Sequence, residues 1–184
     1  MGEKTSRNTT SSLDFLLNKH ILIDTCFLIK SYENAPFFKG LFSIFKNLNC
    51  VPVIHQLIEA EFVRGSKTNQ FYQTKKQHLA IFDGFMLPVA KEIIDNSIAI
   101  SMIYANKGYL NTQISIVDCV NAGILQKYLN NLFLITLDIQ DYPLILFDRL
   151  KIIPIDAGRD VFTCGIYKFN NIKFNQCLID FKKI

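Results

Sequence analysis

The sequence predicts an α/β fold in which helices cover both faces of a mainly parallel central sheet. Short apolar runs alternate with longer segments of helical character along the chain, and this alternation is typical of βαβ units. The short runs are almost uninterrupted by polar residues, as expected for strands buried on both faces of a sheet. The 184 residues and the hydrophobic content of 49% suit one domain with a single core.

The first 65 residues are predicted to contain two strands between short helices. The apolar run at 21–23 is too short for a surface helix and is predicted to be a buried strand, and 50–55 carries the β-branched residues typical of strands. In 37–48, apolar residues recur at three- and four-residue spacing, which indicates an amphipathic helix. Gly65 is predicted to end the last helix of this part. The predicted helices cover 13–18, 25–32, 37–48 and 56–65.

The second half of the chain is predicted to add helices, two strands and a C-terminal β-hairpin extension. Residues 66–110 are predicted to be mostly helical, and a helix over 115–129 begins with Ser115 as its N-cap. Two strand-like runs flank Asn170 and Asn171, residues that tolerate the positive φ of a tight turn, so we expect a hairpin there. The other two strands are predicted at 132–138 and 150–156.

The chain is predicted to consist of a leader, one main domain and a C-terminal extension. Residues 1–12 are polar and lack the apolar stretch of a secretory signal, so they are predicted to be a disordered leader. The main domain is predicted to span 13–155, and 156–184 to form an extension packed on the same domain. No apolar run approaches the ~20 residues needed to cross a bilayer, so we expect no membrane partner.

Composition narrows the class of protein further. Five dispersed cysteines without a signal peptide indicate reduced thiols in a cytoplasmic protein. Neither the cysteines nor the three histidines cluster at the spacing of zinc ligands. The formal charge of +4 permits an anionic partner such as nucleic acid without requiring one.

Acidic residues stand where the predicted strands end, which is where open α/β sheets bind ligands. Asp24 ends the first strand, and Asp138 ends the third. The helix after the second strand carries two further acids, and the helix that leads into the third strand carries another near its start. The full set is Asp24, Glu59, Glu61, Asp118, Asp138 and Asp141.

Each of these acids also has an ordinary structural explanation. Asp24 and Asp118 can cap the helices that begin beside them, and the two acids after the third strand can be loop residues. Glu59 and Glu61 lie two residues apart on a helix, so only one of them can face the others. The coincidence of all these positions favours a shared site.

A shared carboxylate site predicts a divalent cation. Carboxylates packed close together raise one another's pKa and oppose folding unless a cation neutralises them. Oxygen ligands without His or Cys favour Mg²⁺ or Mn²⁺. The chemistry natural to such a site is metal-assisted hydrolysis of phosphodiester bonds by an activated water.

Four segments resemble the PIN-domain ribonucleases, a family that includes the toxins of VapBC toxin–antitoxin pairs. The resemblance covers 21–155 and implies a three-layer α/β/α PIN-like fold. It also implies an endoribonuclease that uses Mg²⁺ or Mn²⁺ and leaves a 5′-phosphate on its RNA substrate, with an antitoxin protein as partner and a homodimer as assembly. The matching segments are LIDTCFLI, HQLIEAEFVRG, SIVDCVNAGIL and LFLITLDIQDY.

The resemblance also implies roles for individual residues. Glu61 is preferred over Glu59 because it precedes the Arg-Gly step, and it either joins the ligands through water or helps deprotonate the attacking water. Thr25 and Thr136 match hydroxyl positions beside the acids, whereas Cys26 and His55 depart from the family pattern. The implied catalytic residues are Asp24, Glu61, Asp118 and Asp138; the implied metal ligands are Asp24, Asp118, Asp138 and the auxiliary Asp141.

Basic residues near the predicted crevice are candidates to bind the RNA backbone. Phe71 and Tyr72 lie among them, and aromatic side chains beside cations can stack single-stranded bases. An ordinary solvated helix face explains the same pattern. The candidates are Arg64, Lys67, Lys75 and Lys76.

Two other enzyme classes also place an acid at the end of the first strand. Haloacid-dehalogenase-like phosphatases need Asp-x-Asp at the first strand, but residue 26 is Cys. Receiver domains need an acidic pair there, and this strand supplies a single acid. A catalytically inactive PIN-like scaffold that binds RNA or protein is the alternative that stays open.

Overall fold

The computed structural model describes residues 13–82, 85–108 and 114–181, and the predicted leader at 1–12 lies outside these ranges. The described chain forms a six-stranded mixed sheet and seven α-helices. The strands are β1 (His20–Ile23), β2 (Val51–His55), β3 (Met86–Leu87), β4 (Leu132–Thr136), β5 (Phe147–Asp156) and β6 (Val161–Phe169). The helices are α1 (Thr25–Glu33), α2 (Ala35–Asn47), α3 (Gln56–Val63), α4 (Asn69–Leu79), α5 (Lys91–Asn106), α6 (Ile116–Tyr128) and α7 (Asn171–Phe181).

The sheet has the strand order β3-β2-β1-β4-β6-β5. The first four strands in this order are parallel, with Ile21 of β1 opposite Pro52 of β2 and Phe133 of β4. The predicted mainly parallel sheet is therefore confirmed for these strands. β6 runs antiparallel to β4 and β5, which makes the sheet mixed.

The helices fall into two packed groups. In one group, α1 packs on α2 and α3, and α3 packs on α4; in the other, α5 packs on α6 and α7. The apolar side chains of β1 and all five residues of β4 are buried, so the centre of the sheet lies inside the core. This arrangement is compatible with helical layers on both faces of the sheet.

The predicted hairpin around Asn170 and Asn171 is wrong. β6 ends at Phe169, and α7 begins at Asn171. The side chain of Asn170 accepts hydrogen bonds from the backbone N–H groups of Ile172 and Lys173, so it begins a helix instead of turning a hairpin. β6 instead forms its hairpin with the preceding strand β5, which was predicted as the fourth strand of the mainly parallel sheet.

The β5–β6 hairpin turns at residues 157–160. The N–H of Gly158 donates to Oδ1 of Asp156 at 2.8 Å, and Gly158 has a φ of +82°, a conformation that glycine adopts without steric cost. Because β6 lies between β4 and β5, residues 161–169 form an interior strand of the same sheet.

The middle of the chain differs from the prediction at one short strand. The two-residue strand β3 lies inside 66–110, a stretch predicted to be mostly helical. Ser115 caps α6 as predicted, and Gly65 adopts a φ of +84° just after α3.

The five cysteines are free thiols. Among the described residues, no helix combines the length and the apolar content needed to cross a membrane.

Candidate functional site

One cleft of about 300 Å³ gathers the predicted acids at the carboxyl ends of the parallel strands. Four separate parts of the chain supply them: the end of β1, helix α3 after β2, the start of α6 and the loop after β4. The cleft therefore unites all four predicted catalytic acids with the auxiliary acid. The lining carboxylates are Asp24, Glu61, Asp118, Asp138 and Asp141.

Asp24 is held rigidly at the end of β1. Its N–H donates to the carbonyl of Ile135 in β4, and its side chain is 4% exposed. Four groups donate to its carboxylate: the Thr25 N–H (2.8 Å) and the Asn121 amide (3.1 Å) to Oδ1, and the Thr136 hydroxyl (2.6 Å) and the Cys26 thiol (3.3 Å) to Oδ2. Asp24 is also the N-cap of α1, so the structural role foreseen for it is present within the cleft.

Asp118, like Asp24, serves as a helix cap as well as a lining residue of the cleft. It forms a capping box at the start of α6: the N–H of Ser115 donates to Oδ2 of Asp118 at 2.7 Å, and the N–H of Asp118 donates to Oγ of Ser115 at 3.2 Å. The hydroxyl of Tyr142 donates to its Oδ1 at 3.1 Å. Asp118 thus caps its helix and faces the cleft.

Glu61, and not Glu59, reaches the cleft. The hydroxyl of Thr25 donates to Oε2 of Glu61 at 2.8 Å, which ties α3 to the start of α1. Glu59 instead pairs with Lys76. The two acids point apart because they are two residues apart on a helix, as the sequence predicts.

The loop after β4 presents the two remaining acids. The hydroxyl of Thr136 donates to Asp24 and accepts from the N–H of Asp138 at 2.9 Å, so one side chain positions both acids. Oδ1 of Asp138 also accepts from the N–H of Gln140 at 3.3 Å. Asp141 lines the same cleft, and the charge of Asp138 contributes to raising its pKa. Thr25 and Thr136 therefore both donate hydrogen bonds to carboxylates of the cleft.

Burial and mutual repulsion raise the pKa of several of these carboxyls. Burial, followed by the charge of Asp118, raises the pKa of Asp24 from 3.8 to about 6. Burial and the charges of Asp118, Asp138 and Asp24 raise the pKa of Asp141 to about 7. The pKa of Asp118 is raised chiefly by burial. Among the described residues that line the cleft, Arg64 is the one cationic side chain, so the cluster needs protons or a further cation near neutral pH.

The donor chemistry of the cleft suits a hard divalent cation, although no ligand array is preformed. Within 13–82, 85–108 and 114–181, no three His, Cys, Asp or Glu side chains are arranged to hold one ion. The four donors to Asp24 occupy all of its lone pairs, so a cation would have to displace one of them, and the weakly donating thiol of Cys26 is the easiest to displace. Asp118, Asp138 and Asp141 add oxygen ligands of the kind that Mg²⁺ and Mn²⁺ prefer.

Cys26 and His55, the two residues that depart from the family pattern, are both hydrogen-bonded within the protein. Cys26 donates to Asp24 and accepts from the N–H of Leu137 at 3.3 Å, so its thiol both donates and accepts, as a hydroxyl would. Burial and the charge of Asp24 raise the pKa of the Cys26 thiol, which keeps it protonated. His55 is fully buried and caps α3 by accepting from the N–H of Leu57.

Sequence reasoning missed two buried polar residues at the cleft, Asn121 and Tyr142. Asn121 is fully buried, and its side-chain NH₂ donates to Asp24 and to the hydroxyl of Tyr142. An amide among the apolar residues of α6, one turn after Asp118, was the available signal for Asn121. Tyr142 carries no comparable signal, because an aromatic residue after a strand is common in any core.

The predicted RNA-binding residues separate into two groups. Arg64 lines the cleft, and Lys67 is exposed beyond it. Lys75 donates to the carbonyl of Phe62 and lies over its ring, and Lys76 pairs with Glu59. The last two lysines therefore hold α4 against α3, which matches the structural explanation of the basic pattern.

Comparisons with known proteins provide no evidence about the function of this site. No protein-family model, curated protein or solved structure matches the chain. The resemblance to PIN-domain ribonucleases accordingly stays a prediction, and the functional inference depends on the residues of the cleft.

Proposed function

We propose that this protein is a metal-dependent endoribonuclease of the PIN type. It hydrolyses phosphodiester bonds of RNA with Mg²⁺ or Mn²⁺ and leaves a 5′-phosphate. The observation that carries the proposal is the convergence of five carboxylates, from four separate parts of the chain, on one cleft at the carboxyl ends of the parallel strands.

The charge of the cleft explains why a cation belongs to the proposal. Five carboxylates beside one guanidinium repel an RNA phosphate, so the cleft alone is a poor site for the substrate. Asp24, Asp118, Asp138 and Asp141 would hold the cation. When bound, a divalent cation supplies charge neutralisation for the phosphate and lowers the pKa of water to give a nucleophile at neutral pH.

The chain's own residues supply position and proton transfer. Oε2 of Glu61 is engaged by the hydroxyl of Thr25, which orients the carboxylate so that Oε1 can accept a proton from the attacking water. Arg64 follows α3 at the edge of the cleft, and its planar guanidinium suits a phosphate of the RNA backbone. Thr136 holds Asp24 and Asp138 in register with each other.

An inactive scaffold with a PIN-like fold is the second candidate, and a specific observation favours it. Asp24 and Asp118 both cap helices, and their oxygens accept hydrogen bonds from the protein itself. These two acids would therefore be useful to the fold even without a cation. A scaffold of this kind would bind RNA or protein without cleaving it.

The test is RNA cleavage by the purified protein. We expect pools of tRNA and rRNA to be cut in the presence of Mn²⁺ or Mg²⁺, with activity abolished by EDTA and restored by excess Mn²⁺. The new ends should be substrates for an exonuclease that requires a 5′-phosphate. Binding of RNA without cleavage even in excess Mn²⁺ and in excess Mg²⁺ would contradict the proposal and favour the scaffold.

The biological part of the proposal depends on the resemblance alone. It assigns the protein to the cytoplasm as a toxin that an antitoxin protein restrains, and it makes the active form a homodimer. Phe37 (47% exposed) and Phe42 (37% exposed) on α2 provide apolar surface that a subunit interface would cover.

A further inference from the structure

A buried amide links the two central acids of the cleft. Asn121 lies one turn after Asp118 on α6 and has no exposed surface. Its Nδ2 donates to Oδ1 of Asp24 at 3.1 Å and to Oη of Tyr142 at 3.0 Å, and Tyr142 in turn donates to Oδ1 of Asp118 at 3.1 Å. Both acids are therefore connected to one side chain that does not line the cleft.

His55 fixes the orientation of this amide. Nδ1 of His55 accepts from the N–H of Leu57, so the ring proton is on Nε2. Nε2 lies 2.7 Å from Oδ1 of Asn121 and donates to it. The amide of Asn121 consequently turns its NH₂ toward Asp24 and Tyr142. Burial lowers the pKa of His55 to about 4, so the ring stays neutral and keeps this tautomer.

The direction of every hydrogen bond in the chain is thus determined. Protons are donated from Leu57 N–H to His55, from His55 to Asn121, from Asn121 to Asp24 and Tyr142, and from Tyr142 to Asp118. His55 ends β2 and caps α3, and Leu57 lies in the first turn of α3, the helix that also carries Glu61. A fully satisfied buried network of this kind holds its members in one arrangement.

We propose that Asn121 is a positioning residue that holds the carboxyl groups of Asp24 and Asp118 in place for one divalent cation, with His55 and Tyr142 orienting the amide. This inference rests on the proposed function, because it assigns the same cleft to the cation. Partners that orient metal ligands in this way typically change metal affinity or activity 10- to 100-fold when they are lost.

The experiment compares Mn²⁺ binding, measured by calorimetry without RNA, with the kcat and KM for RNA cleavage. Asn121→Leu keeps the branched shape of the side chain but removes its donors and acceptor, and Tyr142→Phe removes a single hydroxyl. We expect each variant to bind Mn²⁺ about tenfold or more weakly. We also expect a lower kcat at saturating Mn²⁺ with little change in KM, and a double variant little worse than Asn121→Leu alone because both changes break one network.

Tyr167→Phe is the matched control. The ring of Tyr167 packs on that of Tyr142 with centroids 5.9 Å apart, and its hydroxyl donates to the carbonyl of Ile139 instead of a carboxylate. We expect this variant to lose melting temperature much as Tyr142→Phe does, while it keeps the Mn²⁺ affinity of the parent. If Asn121→Leu does not fold, the comparison of the two tyrosine variants decides the question.

The outcomes separate this inference from the proposed function. Weaker Mn²⁺ binding in Tyr142→Phe but not in Tyr167→Phe supports the inference even if the parent cleaves no RNA, in which case the proposed function fails alone. Unchanged Mn²⁺ affinity in Asn121→Leu and Tyr142→Phe, with cleavage intact, overturns the inference and leaves the function standing. Absence of Mn²⁺ binding by the parent overturns both.

Discussion

Replacing Asp118 or Asp24 with Asn is expected to lower the rate of Mn²⁺-dependent RNA cleavage at least about a thousandfold. Stabilisation of charge by a bound cation supplies several kcal/mol to phosphoryl transfer, and each 1.4 kcal/mol corresponds to a factor of ten in rate. An amide in place of a carboxylate keeps the shape of the side chain but removes the negative charge that attracts the cation. The measurement is single-turnover cleavage of a labelled single-stranded RNA.

Asp95→Asn provides the control for these two variants. Asp95 is exposed on α5 and pairs with Lys91, so its removal takes away one negative charge without touching the cleft. We expect this variant to cleave RNA at the rate of the parent. Cleavage by Asp24→Asn and Asp118→Asn at the same rate as Asp95→Asn would show that the cleft does not carry out the reaction.

The same Asp24→Asn change is expected to stabilise the protein when divalent cations are absent. Ionised Asp24 is 4% exposed, and its pKa is raised from 3.8 to about 6 by burial and by Asp118. This shift corresponds to a cost of about 3 kcal/mol in the folded state above pH 6. The amide avoids that cost and can still be hydrogen-bonded, because Thr136 and Cys26 accept as well as donate.

The pH dependence follows from the direction of this shift. Between pH 3.8 and about 6 the folded state keeps a proton on Asp24 that the unfolded state releases, so stability decreases as pH rises through this window. The gain from Asp24→Asn should therefore be about 3 kcal/mol at pH 8, should fall to about half of that at pH 5 and should approach zero only below about pH 3.8. His55, with its pKa lowered to about 4, gives the opposite slope below pH 6.5 in both proteins and cancels from the difference.

Urea denaturation in EDTA at pH 8, 7, 6 and 5 measures the difference in the free energy of unfolding. A variant that is less stable than the parent at pH 8 would mean that the carboxylate of Asp24 serves the fold and not a cation. Loss of activity together with gain of stability is the combination expected when a functional site opposes folding.

The parts of the fold that were predicted correctly have strong local signals. β1, β2 and β4 are apolar runs, and α6 begins at an N-cap serine followed by regular helical spacing. The end of the chain was mispredicted because Asn170 favours both tight turns and helix caps, and only the register between β5 and β6 decides between them. β3 was missed because two residues give no periodicity.

Sequence alone identified those site residues whose location in the fold follows from their position along the chain. Acids at strand ends converge in any parallel sheet, and the four implied catalytic acids do line one cleft. Asn121 and Tyr142 were not predicted because their role depends on distances between α6, β1 and the loop after β4. Lys75 and Lys76 looked like candidates to bind RNA because sequence alone does not show that Phe62 and Glu59 engage them.

The proposed chemistry depends on a divalent cation bound among the five carboxylates, and anomalous scattering from crystals soaked in Mn²⁺ tests this most directly. We expect an anomalous peak in the cleft, with oxygens of at least two of the acids, Asp118 among them, as direct ligands. Crystals with the cleft open to solvent and no Mn²⁺ among these carboxylates would contradict the metal site and the nuclease built on it.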